Sequence, residues 1–271
     1  MTDTSLPRGT ALVTGASSGI GQVYAERLAR RGHDLILVAR NIGRLEAVAG
    51  AIRQESGQNV SVIAADLGAR SDLARVEAVL HDDPAITMLV NNAGFGSVVP
   101  LLQADVEAMQ AMIDVNVTAL TRLAYAAAPG FVARGRGAII NISSIAAIAP
   151  ELLNGVYGGS KAYVLAFTQS LQHELSERGV RVQAVLPGAT ATEFWGIAGM
   201  EHSNMPAEWV MSSADLVDAA LVGFDRGELV TMPSLQDEAQ LQDFEAARRA
   251  MSGHLSNARI ALRYRKGTLT A

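Results

Sequence analysis

Short runs of uninterrupted apolar residues recur along this chain, and each is followed by a stretch with helical spacing. The strand candidates are Thr10–Thr14 (TALVT), Asp34–Ala39 (DLILVA), Val60–Ala65 (VSVIAA), Ile86–Asn91 (ITMLVN), Ala138–Ser143 (AIINIS) and Val180–Leu186 (VRVQAVL). Helical patterns run from the glycines after Thr14 to about Arg31, over Arg44–Gln54, and near 70–81, 105–134 and 154–178. A strand with one wet face alternates polar and apolar residues. Runs without that alternation fit burial on both faces, the condition of a parallel sheet covered by helices on each side. Repeated strand–helix units with right-handed crossovers predict an α/β fold with a doubly wound, mostly parallel sheet. No linker, fixed-period repeat or charge block divides the 271 residues, so a single domain over 1–271 is expected. Within it, about 193–212 reads as a substrate-side loop or lid and about 236–265 as a C-terminal helical extension.

Composition narrows the function classes. With 49% hydrophobic and 18% charged residues the chain can bury a large core, and global disorder is excluded. A net charge of −5 argues against a general nucleic-acid or anionic-membrane binder. The lack of Cys removes a disulfide framework, a Cys zinc site, an iron–sulfur cluster and a thiolate nucleophile. His173-Glu174 begins like a zinc helix but meets Ser176 and Glu177, so no metal is expected. The opening MTDTSLPRG lacks the apolar stretch of a secretion signal, and no apolar run reaches the roughly 18 residues of a membrane span. A soluble, cytoplasmic protein is the expectation.

Gly15-Ala-Ser-Ser-Gly19-Ile-Gly21 follows the first strand and opens the first helix. Such a turn needs residues that tolerate positive φ, and a phosphate can approach only where no Cβ intervenes. The helix behind it aims free N–H groups and a positive dipole end at the same spot. The spacing is neither the G-x-G-x-x-G of the standard dinucleotide motif nor a P-loop. The second strand ends Val38-Ala39-Arg40-Asn41 without the carboxylate that would bind a ribose 2′-OH. Guanidinium pairs bidentately with phosphate, so NADP(H) is favoured over NAD(H), with a solvated surface Arg as the competing reading.

Tyr157-Gly-Gly-Ser-Lys161 sets a phenol and an ammonium four residues apart, on one face of a helix. A Tyr with its ordinary pKa near 10 is a poor acid–base at neutral pH, and a cation close by favours phenolate. Of the 22 basic residues only Lys161 and Lys266 are Lys, so an ammonium at this place stands out against a chain that otherwise uses Arg. Ser143 and Ser144 end the strand feeding this helix, where a hydroxyl can reach a substrate carbonyl; the competing reading is backbone capping, which one of the two can serve alone.

With Thr14-Gly-Ala-Ser-Ser-Gly-Ile-Gly21, Asp66-Leu67, Asn91-Asn-Ala-Gly94, Asn116, Ser144, Tyr157-x-x-x-Lys161 and Pro187-Gly188 in this order, residues 8–232 resemble the short-chain dehydrogenase/reductase family in its compact branch. The resemblance implies a Rossmann-like fold and a homodimer or homotetramer built on the 105–134 and 154–178 helices. It also implies roles for individual residues. Tyr157 would be the general acid–base, and Lys161 would bind the nicotinamide ribose and lower the Tyr pKa. Ser144 would orient the carbonyl and Asn116 would hold a water in the proton relay. Gly15, Ser17, Ser18, Gly19, Ile20 and Gly21 would cradle the dinucleotide, with Ser17 or Ser18 helping Arg40 at a 2′-phosphate. Asp66 and Leu67 would meet adenine, while Asn92, Ala93 and Gly94 would line the adenine and ribose side. Pro187, Gly188, Thr190 and Thr192 would meet the nicotinamide carboxamide and pyrophosphate. The sequence departs from the pattern at Ser18, where many NADP-preferring relatives carry a base, and at Gly158-Gly159 before Ser-Lys.

After Pro187-Gly188, a stretch poor in periodicity holds Phe194, Trp195, Met200, Met205, Trp209 and Met211, including both Trp of the chain. Flat rings and thioethers suit an apolar ligand beneath a lid, or the docking of this segment on the body or a neighbouring subunit. The expectation is an NADP(H)-dependent oxidoreductase interconverting a small-molecule ketone or aldehyde and a secondary alcohol. An NAD-linked alcohol dehydrogenase and a non-catalytic dinucleotide-binding regulator are the alternatives.

Overall fold

The computed structural model describes residues 8–200 and 202–265. The chain divides into two compact units, one ending at Ser234 and one beginning at Leu235. The first unit contains a seven-stranded parallel sheet in the order β3-β2-β1-β4-β5-β6-β7. Its strands are β1 Thr10–Thr14, β2 Asp34–Ala39, β3 Val60–Ala64, β4 Ile86–Asn91, β5 Gly137–Ile142, β6 Val180–Val185 and the short β7 Val230–Thr231. Helices α1 (Gly19–Arg30), α2 (Ile42–Ser56), α3 (Arg70–Asp82), α4 (Val106–Ile113), α5 (Leu120–Ala133), α6 (Gly155–Leu175), α7 (Phe194–Ala198) and α8 (Ser213–Arg226) connect them. In the second unit, α9 (Glu238–Ser252) starts at an Asp237 cap and has no buried residue. The six strands expected from the apolar runs are present to within a residue at either end; β7, two residues long, was too short to show a pattern. No described helix is long and apolar enough to cross a membrane.

Side chains that alternate along a strand enter two different cores, which is why the runs needed no polar partner residues. Ala11 and Val13 of β1, Met88 and Val90 of β4, and Ala138 and Ile140 of β5 pack with Tyr24, Leu28, Leu45 and Phe224 from α1, α2 and α8. Leu12, Leu89 and Ile139, one position out of phase, pack with Leu73, Val76, Leu123, Phe131 and Leu171 from α3, α5 and α6. Each fully buried Leu or Ile contributes on the order of 1.5–3 kcal/mol.

The expected 105–134 helix is not one helix. A π-helical turn over Asp114–Ala119 joins α4 to α5, and Asn116 sits within it, 1% exposed. The 193–212 segment, expected as an irregular loop, contains the five-residue α7 and two 3-10 turns. A hydrogen bond from the Trp195 indole to the Thr190 carbonyl (2.9 Å) holds its start against the loop after β6.

Polar residues fix the register at the centre. Asn91 and Asn141 are opposite each other on β4 and β5, and the Asn91 amide donates to Asn141 Oδ1 at 3.0 Å. Asn141 Nδ2 in turn donates to Thr168 Oγ1 of α6, also at 3.0 Å. All three are buried. Replacing Asn141 by Ala deprives a buried donor and a buried hydroxyl of their partner, so the variant should lose about 1–3 kcal/mol in urea unfolding. An unchanged unfolding midpoint would show that the chain of amides does not hold β5 to α6.

Candidate active site

The strand order reverses between β1 and β4, and a doubly wound sheet opens a crevice beyond the carboxyl ends of its strands at such a point. Thr14 ends β1 there. Its hydroxyl donates to the Val90 carbonyl (3.3 Å) and accepts from the Asn92 and Ala93 N–H groups, both at 3.0 Å. The Asn92 amide donates back to the carbonyls of Thr14 (2.9 Å) and Gly15 (3.2 Å). The crevice edge is therefore a rigid frame, and the Asn92 side chain is spent on holding the glycine turn.

Within that turn Gly15 and Gly19 have φ of +66° and +56°, a conformation L side chains rarely adopt. Gly21 serves packing: a Cβ there would run into the Gly15 carbonyl and lie 2.5 Å from Asn92 Nδ2. It does not line the cavity that opens above the turn. Ser18 is the N-cap of α1 but makes no side-chain capping bond, so the first-turn N–H groups remain for an anion.

The cavity has a volume of about 850 Å³. Of the residues the sequence assigned to the dinucleotide, Gly15, Ser17, Ser18, Gly19, Ile20, Arg40, Asp66, Leu67, Asn92, Ala93, Gly94, Tyr157, Lys161, Pro187, Gly188, Thr190 and Thr192 all line it. Arg40, Asn41 and Asp66, beyond β2 and β3, mark one end; Ser144, Tyr157 and Lys161, beyond β5 and on α6, mark the other. Among the described residues Arg40 has no ion-pair partner, and no cluster of His, Cys, Asp or Glu could hold a metal.

Tyr157 and Lys161 occupy one face of α6, 5% exposed each. Asn154 caps the helix by accepting from the Val156 N–H at 2.8 Å, which starts it three residues before the phenol. The Ser144 hydroxyl hydrogen-bonds the Tyr157 oxygen and also accepts from the Ala146 N–H at 3.1 Å. Ser143, by contrast, donates to the Lys161 carbonyl at 2.8 Å and braces the helix. Ser144, the serine that the resemblance singles out, is thus the one bonded to the phenol, and it caps the following turn as well.

The electrostatics differ from the expectation. The Lys161 ammonium stands 5.8 Å from the centre of the Tyr157 ring and donates to the Ile142 carbonyl at 3.0 Å. Burial dominates both groups: it pushes the phenol up to about 12, against the opposing Ser144 hydrogen bond, and pulls the ammonium down to about 8. Lys161 does not pull Tyr157 below its ordinary range in this arrangement. At neutral pH the phenol carries its proton, the form needed to donate to a carbonyl oxygen.

Lys161 has three N–H donors and gives one to Ile142; the others have the cavity before them. That donor surplus, with the uncapped α1 terminus and the glycine turn, fits the hydroxyls and phosphates of a dinucleotide. Asn116 fits its expected place less well. It donates to the Phe95 carbonyl (2.9 Å) and Ser160 Oγ (3.1 Å), accepts from the Phe95 N–H (3.1 Å), and does not line the cavity. Here it positions the loop after Gly94, whose missing Cβ would stand 2.9 Å from Asn116 Oδ1 and 3.5 Å from Lys161 Nζ.

Sequence reasoning missed Arg44 and Glu193, which line the cavity and pair at 2.7 Å, and Phe95, which lines it near Tyr157. Arg44 follows Arg40 by four residues, and that spacing was the available signal. Phe194 packs on Tyr157 with ring centres 5.6 Å apart and on Trp195 at 5.3 Å. It can do so because Gly96 has no side chain; a Cβ there would lie 2.5 Å from the Phe194 ring.

Comparison with known proteins agrees with this geometry. The pattern described as short chain dehydrogenase matches residues 9–200. A short-chain dehydrogenase from Sphingobium yanoikuyae, solved in complex with NADPH, is 50% identical with a TM-score of 0.92, over 95% of this chain and 100% of that one. The bulky-bulky ketone specific alcohol dehydrogenase from Comamonas testosteroni is 44% identical with a TM-score of 0.87, over 94% and 98%. Among curated relatives, the very-long-chain 3-oxoacyl-CoA reductase of Anas platyrhynchos is 38% identical over 188 residues, which is 68% of this chain but only 60% of that protein. Serine 3-dehydrogenase of Agrobacterium fabrum is also 38% identical, over 69% of this chain and 74% of its own length. A parallel doubly wound sheet, a glycine turn at its switch point and a Ser–Tyr–Lys cluster at the far end of one crevice make this chain a member of the short-chain dehydrogenase/reductase family of oxidoreductases.

Proposed function

We propose that this protein is an NADPH-dependent reductase of apolar ketones, interconverting the carbonyl and the secondary alcohol. The observation that carries the reading is the buried Tyr157–Ser144 pair beside Lys161 in a cavity that also holds Arg40 and the glycine turn. A bound nicotinamide dinucleotide would supply the two-electron reducing equivalent. Tyr157 would donate its proton to the carbonyl oxygen, Ser144 would polarise that oxygen, and Lys161 would hold ribose hydroxyls. Arg40, exposed and without a carboxylate beside it, supports NADP(H) over NAD(H) through its affinity for a 2′-phosphate. The NADPH complex of the Sphingobium relative supports the same preference.

The substrate end is lined by Phe95, Leu153, Phe194, Trp195, Met205 and Trp209, with no charged side chain among them. Rings and thioethers of this kind favour an uncharged, bulky ketone, and the ketone-specific Comamonas relative is consistent with it. On α5 and α6, Tyr125, Phe167 and Tyr163 form a stacked aromatic row with Tyr125 69% exposed, which supports a homo-oligomer built on these helices.

Tyr157→Phe removes the proton donor and little else. It should lower kcat for ketone reduction by about 10²–10⁴ while the Kd for NADPH stays within twofold; retained turnover would defeat the mechanism. The pH profile separates the two buried groups. Lys161 is charged below about pH 8 and loses its proton above it, whereas Tyr157, held at about 12, stays protonated throughout. The kcat/KM for reduction should accordingly be level at neutral pH and decline above about 8. A profile flat to pH 10 would remove Lys161's charge from the reaction.

A further inference from the structure

Arg44 sits in the first turn of α2, and its own N–H is capped by Asn41 Oδ1 at 3.0 Å. That is an unfavourable place for a cation, because a helix N-terminus carries partial positive charge, and α2 has no acidic residue in its first turn to offset it. Its guanidinium lines the dinucleotide cavity together with Arg40, Asn41 and Ser17. Its anionic partner comes from the opposite wall: Glu193, at the N-cap of α7, accepts from Arg44 Nη1 at 2.7 Å. The two side chains are 53% and 57% exposed. A pair so exposed contributes little, and a phosphate dianion that can accept bidentately from the same guanidinium binds it more strongly than one carboxylate oxygen.

We infer that Arg44 is a second specificity-determining residue for the cofactor's 2′-phosphate, and that Glu193 competes with the phosphate for it. The inference rests on the NADP(H) reading above and deepens it. Arg40 and Arg44 together form a two-guanidinium grip, one from the end of β2 and one a helical turn further on. Glu193 weakens that grip twice over, by occupying Arg44 and by repelling the incoming anion. Binding of the phosphate therefore exchanges the Arg44–Glu193 pair for an Arg44–phosphate pair.

The test is calorimetric titration of the full chain with NADPH, NADH and adenosine 2′-monophosphate, which needs no substrate and no turnover. Arg44→Gln should raise the Kd for NADPH and adenosine 2′-monophosphate about tenfold or more and leave that for NADH within about twofold. Glu193→Gln should tighten NADPH about two- to fivefold, an outcome that a merely structural ion pair cannot give. In the Arg44→Gln/Glu193→Gln double variant the benefit of Glu193→Gln should shrink to the relief of repulsion alone, since the contested guanidinium is gone. Equal loss of NADPH and NADH in Arg44→Gln, or weaker NADPH binding in Glu193→Gln, would overturn the inference. If Arg44→Gln has no effect while Arg40→Gln selectively weakens NADPH, Arg44 is excluded and the NADP(H) reading stands. Equal affinity of the unaltered protein for NADPH and NADH would bring down both.

Discussion

Parallel strands buried on both faces must all finish at the same edge, and everything functional here depends on that constraint. Each strand delivers a loop to one crevice: Gly15 after β1, Arg40 after β2, Asp66 after β3, Asn92 after β4, Ser144 after β5 and Pro187 after β6. The crevice opens where β1 and β4 lie side by side while their crossovers leave to opposite sides. Thr14 and Asn92 lock those two strand ends through five hydrogen bonds, so the floor of the site is as rigid as the sheet itself. A site spread over six loops keeps its geometry because each loop is only a few residues from a strand whose neighbours are already fixed.

Burial then decides the chemistry. A phenol and an ammonium in water would titrate near their ordinary values; in the closed bay both are driven toward neutrality. For Tyr157 this retains the proton that the proposed reduction would consume, and the Ser144 hydrogen bond works in the opposite direction. For Lys161 it keeps the charge only while enough acceptors surround it, and the Ile142 carbonyl is the one the protein provides. A polar ligand that brings further acceptors to Lys161 would raise its pKa, and a more firmly charged ammonium would favour the phenolate left after proton donation.

Much of this was legible in the sequence for a physical reason. Continuous apolar runs leave a strand nowhere to be but between two helical layers, and glycines at a strand-to-helix turn leave few purposes other than close approach. The spacing Tyr157-x-x-x-Lys161 survives as a shared face because an α-helix fixes it. What escaped depends on through-space packing. The π-helical turn at Asn116 has no pattern of its own within a stretch whose spacing reads as helix over 105–134. The rise rather than fall of the Tyr157 pKa could not be read from spacing, because it follows from how completely the folded chain buries the phenol. The Arg44–Glu193 pair joins residues 149 positions apart, a separation over which a single sequence carries no signal.

Those late-found contacts converge on α7. Glu193 and Phe194 are adjacent in the chain yet serve opposite ends of the cavity: one reaches Arg44 on α2, the other lies on the Tyr157 ring. Trp195, next in line, is bonded to Thr190 of the loop that also borders the glycine turn. The Phe194 ring lies 5.6 Å from that of the buried Tyr157, and its seat depends on Gly96 remaining without a side chain. The Arg44–Glu193 pair at one end of the cavity and the Phe194–Tyr157 contact at the other are thus made by two consecutive residues. In this fold the segment after β6 lines the cavity from end to end, with Glu193, Phe194 and Trp195 all on its wall.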